Sequence, residues 1–536
     1  MQRLRHVLGH PVVAIAVVTI LAGVLRFHDL GDPGRRIFDE VYYSKAGCLA
    51  VGYDRETCAV TSEQEIAWAD KYDDVGSWVH PPLGKLAIGT GQRVFGPDAF
   101  GWRSATAFAG TLTVMLIAWL AFLLWRRAAW AWVAGLLMAT EHLSFVQSRI
   151  GMLDGLLTFW IVLGLFLLVV DRRWIDRRTE AAAREEESGP RPPTDDRLLP
   201  VAGGSVDLWD ADRDSTGADP RRPPPPPPGT EPVLAPAFAG PVPSPLWRPW
   251  RFAAGIALGC AVATKWSGAF ALLAAIVLSL LWERTRRFRA WADHPVRRAV
   301  VQEGFTIVLA FAIVPILVYV ASYAGYFMEF GFSPSRWFTL QREMLGFSRG
   351  LEPLDDKCQP IHGYLSAAWQ WIANARPVAY FYTDESGVRR EIMAIGNPVV
   401  FWTSIVAIPA MAVAWRRARD WIAGFVLVAI GVQYLPWFFI SRPKFLFYIA
   451  PIAPFLVLAV VWLVRELASW RIEPQEADDA KRGIRPLLPV AVLLVVAAIA
   501  AFLWFWPVLT AGELTEQAWR LRIWFDGTTW AHFNWI

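Results

Sequence analysis

The chain has 536 residues, 55% of them hydrophobic and 30 of them Trp. That is more apolar than a soluble domain and rich in the residue that collects at membrane–water interfaces. The net charge is only +4, with arginines clustered between apolar runs, so no basic stripe of the kind nucleic acid needs is present; four cysteines exclude a disulfide scaffold.

Arg3 and Arg5 precede an apolar run at 7–25 that is long enough to span a bilayer. A signal peptide would have a shorter apolar region and a small-residue cleavage site. Arg26-Phe27-His28-Asp29 follows instead, so the run reads as an uncleaved anchor with a cytoplasmic N-terminus. Residues 26–101 then form a large polar loop on the outer side, in which 37–50 can lie as a helix on the membrane surface. Cys48 and Cys58 sit in this oxidising setting, either disulfide-bonded or as free thiols.

Apolar runs follow at 106–125, 128–146 and 153–170. Arg126 and Arg127 place the first turn inside, and 141–154 connects the next two outside, with Glu141 and His142 read as solvated loop residues. From 171 to 249 the chain is charged and then Pro-rich, with a run from Pro223 to Pro228. Such a segment cannot bury a core and reads as a disordered cytoplasmic linker. Residues 252–281 have arginines at both ends, which allows one long helix but favours a hairpin with Lys265-Trp266-Ser267-Gly268 at its outer tip. A run at 306–323 returns outward to a second large outer loop, 325–397, which contains Cys358. Runs at 399–415, 421–440, 445–464 and 487–506 complete the set, with basic groups inside at Arg416-Arg417-Arg419 and from Arg465 to Arg485. About eleven spans then satisfy the positive-inside rule. The expected fold is an all-α polytopic membrane protein: an N-terminal module (1–170), the linker (171–249), a C-terminal module (250–511) and an outer tail (512–536) whose tryptophans suit the interface.

The outer polar residues are Asp39, Glu40, His80, Lys85, Arg103, Arg149, Asp154, Lys265, Arg442 and Lys444. Each has an ordinary reading of its own. Asp39 and Glu40 can cap or solvate a surface helix, His80-Pro81-Pro82 can be a rigid turn, and Arg149 and Asp154 can be a structural ion pair. Arg103, Lys265, Arg442 and Lys444 can snorkel to headgroups. Cations on the outer face nevertheless run against the orientation bias, and a bound lipid phosphate would explain them together. Neighbouring residues on a helix point about 100° apart, so only one of Asp39 and Glu40 can face a given reacting atom. A carboxylate against a low-dielectric wall holds its proton more tightly and can take one from a hydroxyl. No metal-ligand spacing appears.

Phe38-Asp39-Glu40-Val41-Tyr42-Tyr43 with His80-Pro81-Pro82-Leu83-Gly84-Lys85 resembles the protein O-mannosyltransferase family (glycosyltransferase family 39) in its bacterial, actinobacterial-type form. Gly101-Trp102-Arg103-Ser104, the segment from Ser148 to Asp154, Thr264-Lys265-Trp266-Ser267-Gly268, Gly396-Asn397-Pro398 and the segment from Arg442 to Tyr448 are similar too. The resemblance covers nearly all the chain but the linker. It implies a GT-C membrane glycosyltransferase of the plasma membrane with its site on the extracytoplasmic face. The implied donor is mannose on a polyprenyl phosphate, and the implied acceptor is a Ser or Thr hydroxyl of an unfolded secreted polypeptide, delivered near the protein-export machinery. It makes Asp39 the general base of an inverting displacement and has Glu40 position the acceptor or brace the loop. His80, Lys85 and Arg103 become supports, with Arg149, Asp154, Lys265, Arg442, Lys444 and Tyr448 around the lipid phosphate. No cofactor or divalent metal is expected. A related transferase acting on a lipid or glycan would look alike, whereas a transporter would carry its charges at mid-membrane.

Overall fold

A computed structural model describes residues 9–60, 79–188, 248–289, 294–354, 360–471, 484–527 and 533–536. Arg3 and Arg5, the Pro-rich stretch with Pro223 to Pro228, Cys358 and most of the basic segment after Arg465 lie outside the described residues.

Each apolar run read from the sequence holds a helix, although 128–146 breaks at Thr140–Glu141 and 445–464 becomes α-helical only at Ala453. In chain order the helices are α1 (Pro11–Phe27), α2 (Glu40–Ala50), α3 (Leu83–Phe95), α4 (Ala99–Trp125), α5 (Ala128–Ala139), α6 (His142–Gln147), α7 (Leu153–Ser188), α8 (Pro249–Thr264), α9 (Gly268–Arg289) and α10 (Pro295–Ser322). Next come α11 (Ala324–Phe330), α12 (Pro334–Gly350), α13 (Ala368–Ile372), strands β1 (Val378–Glu385) and β2 (Val388–Ala394), then α14 (Pro398–Ala418), α15 (Trp421–Tyr434), α16 (Ala453–Ser469) and α17 (Leu488–Leu509). A short β3 (Leu514–Thr515) and α18 (Glu516–Arg520) follow. Among the described residues, seven helices are long and apolar enough to cross a membrane, and α1 and α5 are apolar but shorter. The chain is a multi-pass membrane protein.

Local chemistry sets the helix starts. Proline opens α1, α8, α12 and α14, where its missing N–H costs nothing. Asp98, Asn397 and Asp420 cap α4, α14 and α15 with side-chain oxygens. Arg248, just before α8, donates to Glu283 near the end of α9 at 2.7 Å. The two helices therefore form the hairpin, with Lys265-Trp266-Ser267 at its turn. At Gly255 a side-chain carbon would stand 2.0 Å from the Ala310 carbonyl oxygen of α10; only glycine allows that approach.

The two ends of the bundle differ. One gathers Asp39, Lys265, Glu141 and Asn397; the other gathers Asp171, Arg248, Glu283 and Glu303. Asp171 is buried and paired with Arg248, and α7 runs on to Ser188. The helical module therefore extends past residue 170, where charge alone suggested that the linker begins. The segment 325–397 is not all helix: β1 and β2 pair antiparallel from Val378–Ala394 to Glu385–Val388. Their turn, Ser386-Gly387, has both φ angles positive, as a two-residue hairpin requires. β3 adds to β2, and the tail, which its tryptophans had suggested for the membrane interface, packs on this sheet through Trp519. Cys48 and Cys58 are disulfide-bonded and tie α2 to the loop after it.

Candidate active site

Glu40 opens α2 and is fully buried. Its carboxylate receives Arg103 Nε at 2.7 Å and Nη2 at 2.9 Å, Ile37 N at 3.0 Å and Gly151 N at 2.8 Å. A carboxylate offers about four lone-pair sites, so all are occupied. Arg103 uses its remaining N–H groups on the carbonyls of Leu30, Pro33 and Arg35 at 3.0–3.1 Å. It is fully buried, so it braces the loop and does not snorkel. The pair fastens residues 30–40 to α4 and to the turn before α7.

Asp39, beside it, is differently placed. It keeps partial exposure and accepts one long hydrogen bond, 3.5 Å from Tyr43 Oη. Loss of bulk water around it pushes its pKa up to about 6; the charge of Lys265 opposes this, and that of Asp154 adds to it. Phe38 has φ +49°, a strained setting for an aromatic residue. Its ring is held 4.4 Å from Tyr380 and 5.6 Å from Phe447, so packing fixes the backbone that presents Asp39.

Around Asp39 the bundle end converges. Lys265 Nζ donates to both oxygens of Asp154 at 2.9 and 3.0 Å and lies 5.0 Å from the centre of the Tyr448 ring. His80 stacks obliquely on Tyr43 at 6.1 Å. Burial, then Lys265, Lys85 and Arg442, hold its pKa well below the ordinary value, so it is neutral. Lys85 is buried and donates to the His80 carbonyl at 2.6 Å, fixing the His-Pro-Pro turn. Arg442 donates to Ser348 Oγ at 2.8 Å. Among the described residues no three His, Cys, Asp or Glu side chains are grouped to hold a metal ion.

Two cations assigned to a phosphate are used otherwise. Arg149 is buried and donates to the carbonyls of Leu25, Arg26, His28 and Asp29. It caps the end of α1, and Asp154 pairs with Lys265 instead of with it. Lys444 donates to Trp437 O at 3.1 Å and Ile440 O at 2.7 Å. Glu141 and His142 are buried, not solvated: Glu141 caps α6 and accepts from Asn397 N at 3.1 Å. Tyr380 was not singled out from the sequence. Its hydroxyl accepts from Gln147 at 2.7 Å, and the charges of Asp154 and Asp39 act on it. A lone Tyr in an aromatic loop carries no sequence signal.

With one partly exposed carboxylate among cations at one end of the membrane bundle, the fold is that of a GT-C membrane glycosyltransferase, on the likenesses that follow. The fold resembles that of the S. cerevisiae protein O-mannosyltransferase Pmt1-Pmt2 complex bound to the sugar donor, with a TM-score of 0.65 and 12% identity over 100% of this chain and 96% of that one. The model of dolichyl-phosphate-mannose-protein mannosyltransferases matches residues 16–183 and 243–330, and that of the C-terminal four-transmembrane region of protein O-mannosyltransferases matches 334–530. The polyprenol-phosphate-mannose--protein mannosyltransferase of Mycobacterium tuberculosis is 28% identical over 96% of this chain and 91% of its own length. The protein of the same name from Corynebacterium glutamicum is 24% identical over 95% and 92%. The chain belongs to the protein O-mannosyltransferase family.

Proposed function

We propose that this chain transfers mannose from a polyprenyl phosphate to Ser or Thr hydroxyls of unfolded secreted polypeptides, at the extracytoplasmic face of the plasma membrane. Asp39 takes the hydroxyl proton as the hydroxyl oxygen attacks C1 of the sugar. The C1–O bond to phosphate breaks, the lipid phosphate leaves with the electron pair, and the configuration at C1 inverts. The leaving group needs charge, not a proton; Lys265 and Arg442 supply it, with Tyr448 shaping the Lys265 position. No step calls for a metal.

The observation that carries this reading is the contrast between adjacent carboxylates. Every acceptor site on Glu40 is filled, whereas Asp39 is nearly unengaged and its proton affinity is raised. Asp39→Asn should lower transfer from prenyl-phosphate mannose to a Ser/Thr peptide by at least about 10²-fold while leaving insertion and thermal midpoint unchanged. The wild-type rate should rise with pH through about 6 as Asp39 ionises. Full activity in the Asn variant would remove Asp39 from the mechanism, and transfer to lipid or glycan but not peptide would replace the acceptor.

A further inference from the structure

Helix α12 crosses the Asp39 end of the bundle and is tied to both loops that carry the leaving-group cations. Tyr319 Oη donates to Gln341 at 2.6 Å and accepts from Trp266 Nε1 at 2.9 Å, next to Lys265. Ser348 accepts from Arg442 at 2.8 Å. The inward face of α12, with Leu340 and Met344, packs against Tyr323, Trp266 and Tyr319 in a small core of its own.

The outward face is different in kind. Phe338, Arg342, Leu345 and Arg349 follow one another at steps of four, three and four residues along α12, which places all four within about 60° of the helix circumference. Phe338 is 60% exposed and Leu345 38%. Both arginines are exposed, and among the described residues neither forms an ion pair. Just before α12, Met328 is 82% exposed and Phe332 75%. The exposed Phe338 and Leu345 side chains fit water poorly, and the guanidinium groups set between them keep their charge. Together they fit a bilayer surface well: the apolar side chains enter the acyl boundary and the cations meet phosphates. Position agrees, because α10, long and apolar enough to cross a membrane, ends at Ser322 and α11 begins at Ala324.

We propose that α12 is a membrane-surface helix whose Phe338–Arg342–Leu345–Arg349 face rests on anionic lipid headgroups. The bilayer itself then holds the strap that joins the Trp266 turn to the Arg442 loop. This goes beyond the transfer reaction and needs only that the chain is embedded in a membrane.

The test uses full-length protein with Cys260 and Cys358 replaced by Ser, reconstituted in nanodiscs of phosphatidylcholine with or without phosphatidylglycerol. A spin label is placed at Leu345→Cys, or at Glu343→Cys on the opposite side. The expected result is faster relaxation by membrane-dissolved oxygen than by an aqueous nickel chelate at 345, the reverse at 343, and stronger shielding of 345 with phosphatidylglycerol. Arg342→Gln with Arg349→Gln should weaken that preference for anionic lipid by roughly fivefold per arginine. Equal aqueous access at 345 and 343 in both lipids would overturn the proposal. So would shielding of 345 that appears only when an unfolded polypeptide is added. Asp39→Asn should leave the pattern unchanged, so failure here is separable from failure of the transferase reading.

Discussion

Four N–H groups close on Glu40, and the arginine that supplies two of them sits 63 residues away. The local sequence shows that two adjacent carboxylates cannot share one task, because helix geometry turns them apart. It does not show which is buried, since that depends on a partner brought in by tertiary packing. The family resemblance alone offered Asp39 as the base and Glu40 as positioning the acceptor or bracing the loop, and the four hydrogen bonds on Glu40 favour bracing. Arg103 makes a planar fork on Glu40 and three carbonyl contacts that lysine cannot reproduce. Arg103→Ala strands a buried carboxylate and should cost about 3–5 kcal/mol, read as a lower thermal midpoint in detergent together with lost transfer. An unchanged midpoint would mean that the loop is held by other contacts.

At the scale of elements, the spans were legible because each needs only its own apolar run, and the hairpin because charge at both of its ends demanded an even number of crossings. The β1–β2 hairpin was missed although its Ser386-Gly387 turn is a local signal; the docked tail was not legible, since it meets β2 only after the chain has folded. Their junction carries a titratable group. Glu391 on β2 is buried and accepts from Trp519 Nε1 at 2.6 Å; burial pushes its pKa up to about 7, against the bond from Trp519. In the unfolded chain Glu titrates near 4.3, so between roughly pH 4 and 7 the folded state holds a proton that the unfolded state has lost. Stability should therefore fall as pH rises across that interval and level off above it. Hydrogen exchange at the Trp519 segment should quicken from pH 5 to 8 beyond its intrinsic rise, and Glu391→Gln, which keeps an acceptor without the charge, should remove the excess. A pH-independent protection factor in the wild type would contradict this.

Across the whole molecule, the two ends of the bundle use charge for different purposes. At the Asp39 end, one carboxylate is partly exposed and carries a single long hydrogen bond. At the opposite end, Arg248 donates to Asp171, to Glu283 at 2.7 Å and to Glu303 at 2.9 Å, while Arg251 meets Glu303 at 2.8 Å and Arg287 meets Glu283 at 2.7 Å. All are buried. The sequence marked these residues as linker flank and cytoplasmic arginines; nothing local says that α7, α8, α9 and α10 bring them to one point. Buried ion pairs add little over apolar packing, but removing one partner leaves uncompensated charge. The cluster ties the middle of α7 to the start of α8, the end of α9 and α10, so the two halves are expected to stay joined without continuity through residues 189–247. A single protease cut in that segment should leave both halves co-purifying with an unchanged thermal midpoint. Arg248→Met in the same cut protein should lower that midpoint by an amount equivalent to about 3–5 kcal/mol. Separation of the halves on cutting alone would show that the covalent linker carries the load, and an unaltered Arg248→Met midpoint would show that packing of α7 on α8 suffices without the ion pairs.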